Sequence, residues 1–269
     1  MAIIALHSAA TGLSALNTDL DVIANNLANV NTEGFKSSRT NFQDLMYQEK
    51  ELPGVENSNG DSRPTGLYIG LGVRVSGTQV DFTQGSPLST GRTLDLLIDG
   101  TGFFQVQVED GRGPNGIAYT RAGNFAVNRD GELVLANDQG RRLLPSINIP
   151  DDAISININS DGRVFTLQPG DSEATEQGQI EIAAFLNPAG LKQIGENLFV
   201  ESGASGPPIT GEPATSNLGR IQSGFLEGSN VDPTKELIEL IQTQRAFEMN
   251  SNVIRAADES LRVVSNLNR

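Results

Sequence analysis

A heptad pattern of apolar residues near the N-terminal end constrains the fold of this chain more than any other feature. The apolar residues follow one another at alternating gaps of three and four, the spacing of an a/d seam on an α-helix. Over residues 1–31 the only acidic side chains are Asp19 and Asp21, and no Lys or Arg precedes Lys36. A helix without a charged face favours dense packing against several neighbours over a helical hairpin or a simple dimer. The seam consists of Leu6, Ala9, Leu13, Leu16, Leu20, Ile23, Leu27 and Val30.

A second long helix is predicted at the other end, over residues 233–268. Asp232 is a good N-cap, and Pro233 suits the first helical position, where its missing N–H is not needed. Apolar residues recur every seven positions along this helix, and the interleaved positions include the polar residues Thr243 and Asn250. Polar members of a seam commonly fix its register. The apolar series is Leu240, Phe247, Ile254 and Leu261.

The region between the helices has the two-residue period of β-strands. In "FFQVQVE", residues 103–109, Phe104, Val106 and Val108 alternate with polar residues, and in "ISININ" Ile154, Ile156 and Ile158 do the same. Asp-Gly and Asn-Gly pairs punctuate the region, as they do in antiparallel hairpins. Two of these pairs lie in "NRDGELV" and "NSDGRVF", which we interpret as hairpin turns because the ligand series of a calcium loop is incomplete.

The sequence therefore predicts an α+β protein. Long N- and C-terminal α-helices form a coiled-coil layer, and the middle domain is mainly antiparallel β-sheet. Segments 49–66 and 201–217 are polar and rich in Gly and Pro, which is typical of loops or extended arms. The predicted divisions are an N-terminal helix in 1–34, an extended arm in 35–68, a β-rich domain in 69–225 and a C-terminal helix in 226–269.

Composition argues against most binding and catalytic functions. The 33 acidic residues outnumber the 19 basic ones, so a net charge of −14 disfavours a nucleic acid partner. With no cysteine and only His7 as histidine, thiolate chemistry and multi-histidine metal sites are excluded. No nucleotide-binding or hydrolase motif occurs. We predict no enzyme activity, no catalytic or metal site and no cofactor, and neither a cleaved signal peptide nor a membrane-inserted segment.

One stretch, "ANNLANVNTEGFK" at residues 24–36, resembles the signature of the bacterial flagellar rod and hook proteins. The resemblance continues in "PTGLYIGLGVRV" at 64–75, in 82–106, in 119–134 and in "QRAFEMNSNVIRAADESLRVV" at 244–264. The segment at 64–75 and the overall length are most similar to the distal rod members of that family.

The resemblance implies a structural subunit of the distal rod, a drive shaft that transmits torque and carries the export channel. Such subunits leave the cytoplasm through the flagellar type III export apparatus. They assemble as part of the basal body, in the section that spans the periplasm towards the outer membrane. It implies contacts with further copies of the chain, with proximal rod proteins, with the hook protein and with the surrounding P and L ring proteins. The alternatives are another rod or hook subunit, or a secreted β-rich enzyme or carbohydrate-binding protein.

The same resemblance and the heptad pattern predict a subunit interface. With Leu6 at an a position, Asn26 occupies g and Asn31 occupies e, where amides can form hydrogen bonds without the desolvation cost of a charge. Gly34 permits a left-handed backbone, and Phe35 can anchor the turn after the helix. The predicted interface residues are Leu6, Leu13, Leu16, Leu20, Ile23, Asn25, Asn26, Leu27, Asn29, Asn31, Thr32, Gly34, Phe35, Leu240, Phe247, Asn250, Ile254 and Leu261.

Overall fold

The computed structural model describes residues 2–54, 64–109, 111–170, 173–215 and 217–267, and its contacts divide the chain into two compact units. Unit 1 comprises Met1–Ala28, Ser38–Val80 and Asp232–Arg269, and unit 2 comprises Asn29–Ser37 and Asp81–Val231. The domain boundaries predicted from the sequence stay a prediction, although residues 38–80 cluster with the terminal helices. The N-terminal helix, the β-rich middle and the C-terminal helix occur in the predicted order.

Unit 1 contains the two long helices, α1 at Ala2–Ala28 and α2 at Pro233–Leu267. The start of α2 is as predicted: the Asp232 carboxylate accepts hydrogen bonds from the backbone N–H of Thr234 at 2.9 Å and of Lys235 at 3.3 Å. Pro233 then occupies the first helical position.

The end of α1 corrects the predicted seam. The helix ends at Ala28, so Val30 lies in the turn that follows and not on the helix. In that turn the carbonyl of Asn29 accepts a hydrogen bond from the N–H of Thr32 at 3.2 Å, a bond between residues three apart that does not continue the helical pattern. The apolar seam on α1 therefore ends at Leu27.

A long antiparallel ribbon completes unit 1. Its two pairs of strands are joined by backbone hydrogen bonds from Leu45 to Gly72 at 2.9 Å and from Leu71 to Met46 at 3.2 Å. The predicted arm, 35–68, thus contains paired strands, while its stretch 55–63 lies outside the described residues. Strand β1 pairs with β4 and β2 pairs with β3; the bounds are β1 Ser38–Asp44, β2 Tyr47–Glu51, β3 Leu67–Gly70 and β4 Val73–Val80.

Unit 2 contains sixteen short strands in the part of the chain that the structure describes, and every pairing among them is antiparallel. The strands are β5 Pro87–Ser89, β6 Leu96–Asp99, β7 Phe103–Gln107, β8 Ile117–Thr120, β9 Phe125–Val127, β10 Leu133–Leu135, β11 Leu143–Leu144, β12 Ser155–Ile158, β13 Arg163–Leu167, β14 Thr175–Gln179, β15 Ile182–Ala184, β16 Lys192–Gly195, β17 Leu198–Val200, β18 Ile209–Gly211, β19 Arg220–Ser223 and β20 Phe225–Glu227.

The largest sheet of unit 2 has the order β16-β17-β8-β7-β15-β18, with β11 also paired to β7. The other sheets of unit 2 are a three-stranded sheet, β12-β13-β14, and three strand pairs, β9–β10, β6–β19 and β5–β20. Strand β18 lies within 201–217, which the sequence predicted as loop or extended arm, so that prediction was wrong at β18.

Both predicted hairpin turns are confirmed. Between β9 and β10 the Asn128 side-chain oxygen accepts hydrogen bonds from the N–H groups of Asp130 at 2.9 Å and Glu132 at 2.8 Å, and Gly131 has a φ of +81°. Between β12 and β13, Gly162 likewise has a φ of +83°. Such left-handed positions are where glycine is favoured in tight turns.

The predicted strand faces are partly correct. Phe104, Val106 and Val108 are buried in the main core, as the alternation indicated. Gln105, expected on an exposed face, is only 6% exposed, because β7 is an interior strand with covered residues on both faces. Ile154 was expected to be half-buried but is 67% exposed, since β12 begins one residue later.

We expect Gly123→Ala to destabilise unit 2. A Cβ at this position would overlap the Leu96 carbonyl, while the Leu96 N–H donates to the Gly123 carbonyl at 2.9 Å. Such overpacking should lower the free energy of unfolding by about 3 kcal/mol. Urea unfolding followed by circular dichroism measures the change. The matched control is Gly203→Ala, whose Cβ would enter open space, and equal stability of the two variants would contradict the prediction.

Candidate assembly surface

Helices α1 and α2 of unit 1 pair in opposite directions, with polar contacts one heptad apart. Each step of seven residues forward along α1 corresponds to a step of seven residues back along α2. This constant register identifies an antiparallel pair. The contacts are Gly12 with Asn250, Asp19 with Thr243, and Asn26 with Glu236.

Two of these contacts are hydrogen bonds. The Thr243 hydroxyl donates to a carboxylate oxygen of Asp19 at 3.1 Å, and the Asn26 amide donates to Oε1 of Glu236 at 3.2 Å. The Asn26 amide also donates to the Ser38 carbonyl at 2.8 Å and accepts from the Ser38 N–H at 3.0 Å. Asn26, predicted at the subunit interface, is therefore buried within its own chain, where it joins α1 to both α2 and the ribbon.

Small residues on α1 allow α2 to approach closely. Ala9, Gly12 and Ala15 are buried. A Cβ added to Gly12 would lie 3.0 Å from Nδ2 of Asn250, so the Asn250 amide rests directly on the helix backbone. The predicted polar members of the α2 seam, Thr243 and Asn250, thus both face α1.

The predicted apolar seam residues are mostly not fully covered within the chain. On α1 only Ala9 and Ile23 of the seam are buried, because the polar contacts with α2 lie at the neighbouring g positions and not at the centre of the seam. On α2, Leu261 is exposed at 38%. The residues that remain half-buried are Leu6, Leu13, Leu16, Leu20, Leu27, Leu240, Phe247, Asn250 and Ile254.

A second apolar stripe on α2 is exposed and was missed by the sequence reasoning. Ile238 is 52% exposed, Ile241 47% and Met249 64%, and Leu237 and Val253 are also exposed. Residues 237, 241, 249 and 253 are spaced by multiples of four, which places them near one another on the helix surface. The spacing was visible in the sequence, but the heptad pattern accounted for only one face.

The ribbon of unit 1 adds further exposed apolar side chains. Phe42, Met46, Tyr47, Leu67 and Tyr68 are all exposed, Met46 most of all at 82%. Isolated apolar residues on a protein surface are ordinary, but a series along one ribbon makes the ribbon a candidate interaction surface.

The signature residues after α1 belong to unit 2 and pack there. Gly34 has a φ of +67°, and its N–H donates to the Glu227 carbonyl at 2.8 Å. The Lys36 ammonium lies 2.5 Å from Oε1 of Glu227, and Nη1 of Arg121 lies 3.2 Å from Oε2. Burial lowers the pKa of Lys36, and Glu227 opposes the shift. A Cβ at Gly34 would come within 2.6 Å of the Ala122 backbone nitrogen.

Sequence reasoning missed Lys36, Glu227 and Arg121 as a group. Lys36 is the first basic residue of the chain, which was the available signal, but its two partners are far away in sequence. The other predicted residues of this stretch lie at the surface or near it. Asn25 and Asn31 are exposed, and Asn29, Thr32 and Phe35 are half-buried, with the Thr32 hydroxyl 3.1 Å from the Asn29 side-chain oxygen.

The chemistry available on these surfaces is packing and hydrogen bonding. Within the described ranges no group of three or more His, Cys, Asp or Glu residues is arranged to hold a metal ion. Those ranges also contain no helix long and apolar enough to cross a membrane.

Comparisons with known proteins agree with this arrangement of a helix, a β domain and a second helix. Residues 6–36 match the family model described as flagella basal body rod protein, and residues 97–166 match the D1 domain of the flagellar hook protein FlgE/F/G. Residues 222–267 match the C-terminal model of the flagellar basal body rod FlgEFG proteins. The chain belongs to this flagellar hook and basal-body rod family.

Within the family the chain is similar to FlgG proteins. It is 46% identical to the flagellar basal-body rod protein FlgG of Agrobacterium fabrum over 97% of this chain and 98% of the relative. Identity to FlgG of Bacillus subtilis is 41% over 98% of each chain. The hook-basal body complex protein FlhP of Bacillus subtilis is less similar, at 31% identity over 97% of each chain.

The antiparallel register can be tested by cross-linking, because the chain has no cysteine of its own. We expect Asp19→Cys combined with Thr243→Cys to form an intramolecular disulfide on mild oxidation, since the native side chains touch at 3.1 Å. The control pairs Asp19→Cys with Asn250→Cys, a displacement of one heptad or about 10 Å along α2. Mobility on a non-reducing gel reports the disulfide. Equal cross-linking of both pairs would refute the register.

Glu236 should make the stability of unit 1 depend on pH. Burial raises the pKa of Glu236 above its ordinary value of 4.5, Asn26 opposes the shift, and Glu239 and Asp19 add to it. The ionised carboxylate is therefore costly above the raised pKa, and the cost disappears as the pH falls towards 4.5. We expect the thermal midpoint of unit 1 to rise on acidification.

Glu236→Gln should weaken this dependence, because the amide carries no charge at any pH. The measurement is helix unfolding by circular dichroism between about pH 5 and pH 8. The control is Glu239→Gln, at an exposed side chain one turn away, which should retain most of the wild-type dependence. Identical pH profiles for wild type and Glu236→Gln would rule out this role.

Proposed function

We propose that the chain polymerises through its terminal helices into the flagellar distal rod, a helical tube that transmits torque from motor to hook and carries the export channel. The family is structural and is not a family of enzymes. The observation that supports polymerisation is the uncovered apolar surface of α2, where Ile238, Ile241 and Met249 are about half or more exposed. Such a stripe needs a partner to exclude water.

In this proposal the helices form an inner coiled-coil layer and the β domain forms the outer wall. Antiparallel pairing within a subunit leaves the leucines of α1 and the second stripe of α2 for neighbouring copies. Contacts between different surfaces of identical subunits do not close into a dimer, and they generate a helical filament when the rotation does not close. The predicted interface residues, from Leu6 to Leu27 and from Leu240 to Leu261, are then shared between intrachain and intersubunit packing.

The chain is a component of the flagellar basal body, and we propose its neighbours there. They are proximal rod proteins on one side, the hook protein on the other and the P and L ring proteins around the rod. The subunit would leave through the type III export apparatus without a cleaved signal peptide and assemble in the periplasm.

The ribbon is the second proposed contact surface. Phe42, Met46 and Tyr47 are exposed in the first length of the ribbon, residues 38–51, and Leu67 and Tyr68 are exposed in the returning length, residues 67–80. We propose that the ribbon, which includes part of the stretch 49–66 predicted from the sequence as a loop or extended arm, contacts neighbouring subunits. These contacts would stiffen the rod. Paired strands suit that role better than an unpaired extended arm, because each backbone is held by its partner.

Ile241→Glu tests polymerisation. A charge on the exposed stripe should prevent its burial against a neighbour, and loss of about 1–1.5 kcal/mol of apolar burial alone raises the critical concentration about tenfold. Sedimentation of purified protein measures assembly, and circular dichroism checks the fold. The control, Gln244→Glu, adds the same charge at an exposed polar position. Normal filaments from Ile241→Glu would exclude the stripe as an interface.

Imaging of basal bodies distinguishes a distal rod subunit from another rod or hook subunit. In a strain that lacks this protein, we expect basal bodies with a proximal rod but without a distal section. An intact distal rod would refute the assignment. Loss of the proximal rod, or of the hook alone, would support the corresponding alternative.

A further inference from the structure

The side chain of Asn230 connects the backbone segments through which unit 2 continues into unit 1. The chain passes between the units after Ala28, Ser37, Val80 and Val231. Asn230 lies at or beside three of these four crossing points. It contacts Ser37, just before the crossing into Ser38, and Asp81, just after the crossing from Val80, and it is itself two residues before Asp232. All of these contacts are made inside unit 2.

The geometry of Asn230 satisfies both ends of its amide. Its side-chain oxygen accepts from the Ser37 N–H at 2.7 Å, and its Nδ2 donates to the Asp81 carbonyl at 2.8 Å. The same nitrogen lies 3.3 Å from the Thr83 carbonyl. The Asn230 backbone N–H also donates to the carbonyl of Phe35 at 3.4 Å. One half-buried residue thus holds two other chain segments as well as its own.

The held segments are joined to each other and to the buried charges. The Asp81 N–H donates to the Ser37 carbonyl at 2.8 Å. Beside them, the Lys36 ammonium donates to the Thr83 carbonyl at 2.7 Å and to Glu227. Because the Lys36 and Glu227 side chains are fully buried, pulling either segment away would expose or separate a buried ion pair.

We propose that Asn230, with the Lys36–Glu227 ion pair, is a clamp that makes these three chain segments carry tension together. The clamp resists peeling of any single segment from unit 2. It rests on the proposed function only in that a rod subunit bears mechanical load. An asparagine is suited to the position because its amide presents an acceptor and a donor side by side, which neither Asp nor Leu can do.

The first experiment measures hydrogen exchange of the full-length protein. Asn230→Ala removes the acceptor for the Ser37 N–H, so exchange at that amide should accelerate about tenfold while β7 amides stay protected. Asn187→Ala is the matched control, because Asn187 also bonds a backbone carbonyl of unit 2, that of Ala204, but contacts none of the passages. Unchanged exchange at Ser37 in Asn230→Ala overturns the clamp.

A second variant keeps the test decisive where Asn230→Ala fails to fold. Asn230→Asp retains an acceptor for Ser37 but turns a carboxylate towards the Asp81 and Thr83 carbonyls. We expect faster exchange of the Asp81 amide with slower or unchanged exchange at Ser37. Wild-type exchange at both amides in this variant also overturns the proposal.

The tension itself is tested in cells that carry each variant as the sole copy. Swimming speed is measured as the viscosity of the medium is raised. We expect Asn230→Ala cells to build rods and to lose speed more steeply with viscosity than Asn187→Ala cells. Equal loss in both overturns the mechanical role. A wild-type chain that is not found in rods would refute the proposed function, and the exchange result on the clamp would still stand.

Discussion

The antiparallel register between α1 and α2 is the constraint on which the assembly surface depends. Two helices more than 200 residues apart in sequence meet through contacts spaced one heptad apart, and those contacts are polar or involve glycine. An apolar seam alone tolerates a slip of one heptad between the helices. The polar pairs Asp19–Thr243 and Asn26–Glu236 do not tolerate such a slip, because it would leave buried polar groups unpaired. The intrachain pair thereby fixes its register with few apolar residues.

A different constraint operates in unit 2, where one carboxylate pairs with two cations. Glu227 is fully buried between Lys36 and Arg121, and its Oε1 also accepts the Gly85 N–H at 3.0 Å. Removing one member of a buried ion pair typically costs about 3–5 kcal/mol, since the remaining charge has no partner. Gly34 and Lys36 of the signature are thus explained by packing inside the chain, whatever contacts its asparagines make in an assembly.

The sequence was sufficient for the features that local chemistry decides. The heptad helices, the Asp232 cap and the Asn128 and Gly162 turns all follow from spacing and from backbone preferences. It was insufficient where a residue's role depends on distant partners. Nothing near Asn26 predicts that Ser38 and Glu236 meet on it, and Gln105 reads as an exposed residue until β7 is known to be an interior strand. The exposed stripe of α2 could be recognised in the sequence only after the face that contacts α1 was known.

The free energy available from burying the exposed stripe of α2 explains why assembly should need several neighbours at once. Burying the exposed half of an Ile, Val or Met contributes about 1–1.5 kcal/mol, so the five residues Leu237, Ile238, Ile241, Met249 and Val253 supply roughly 5–8 kcal/mol. Association of two molecules costs about 4–15 kcal/mol in lost freedom. A single contact through α2 therefore roughly breaks even, and the net charge of −14 opposes it further. Only a subunit that also engages the ribbon and the α1 leucines with other neighbours gains a clear surplus, which makes growth at an existing end more favourable than pairing in solution.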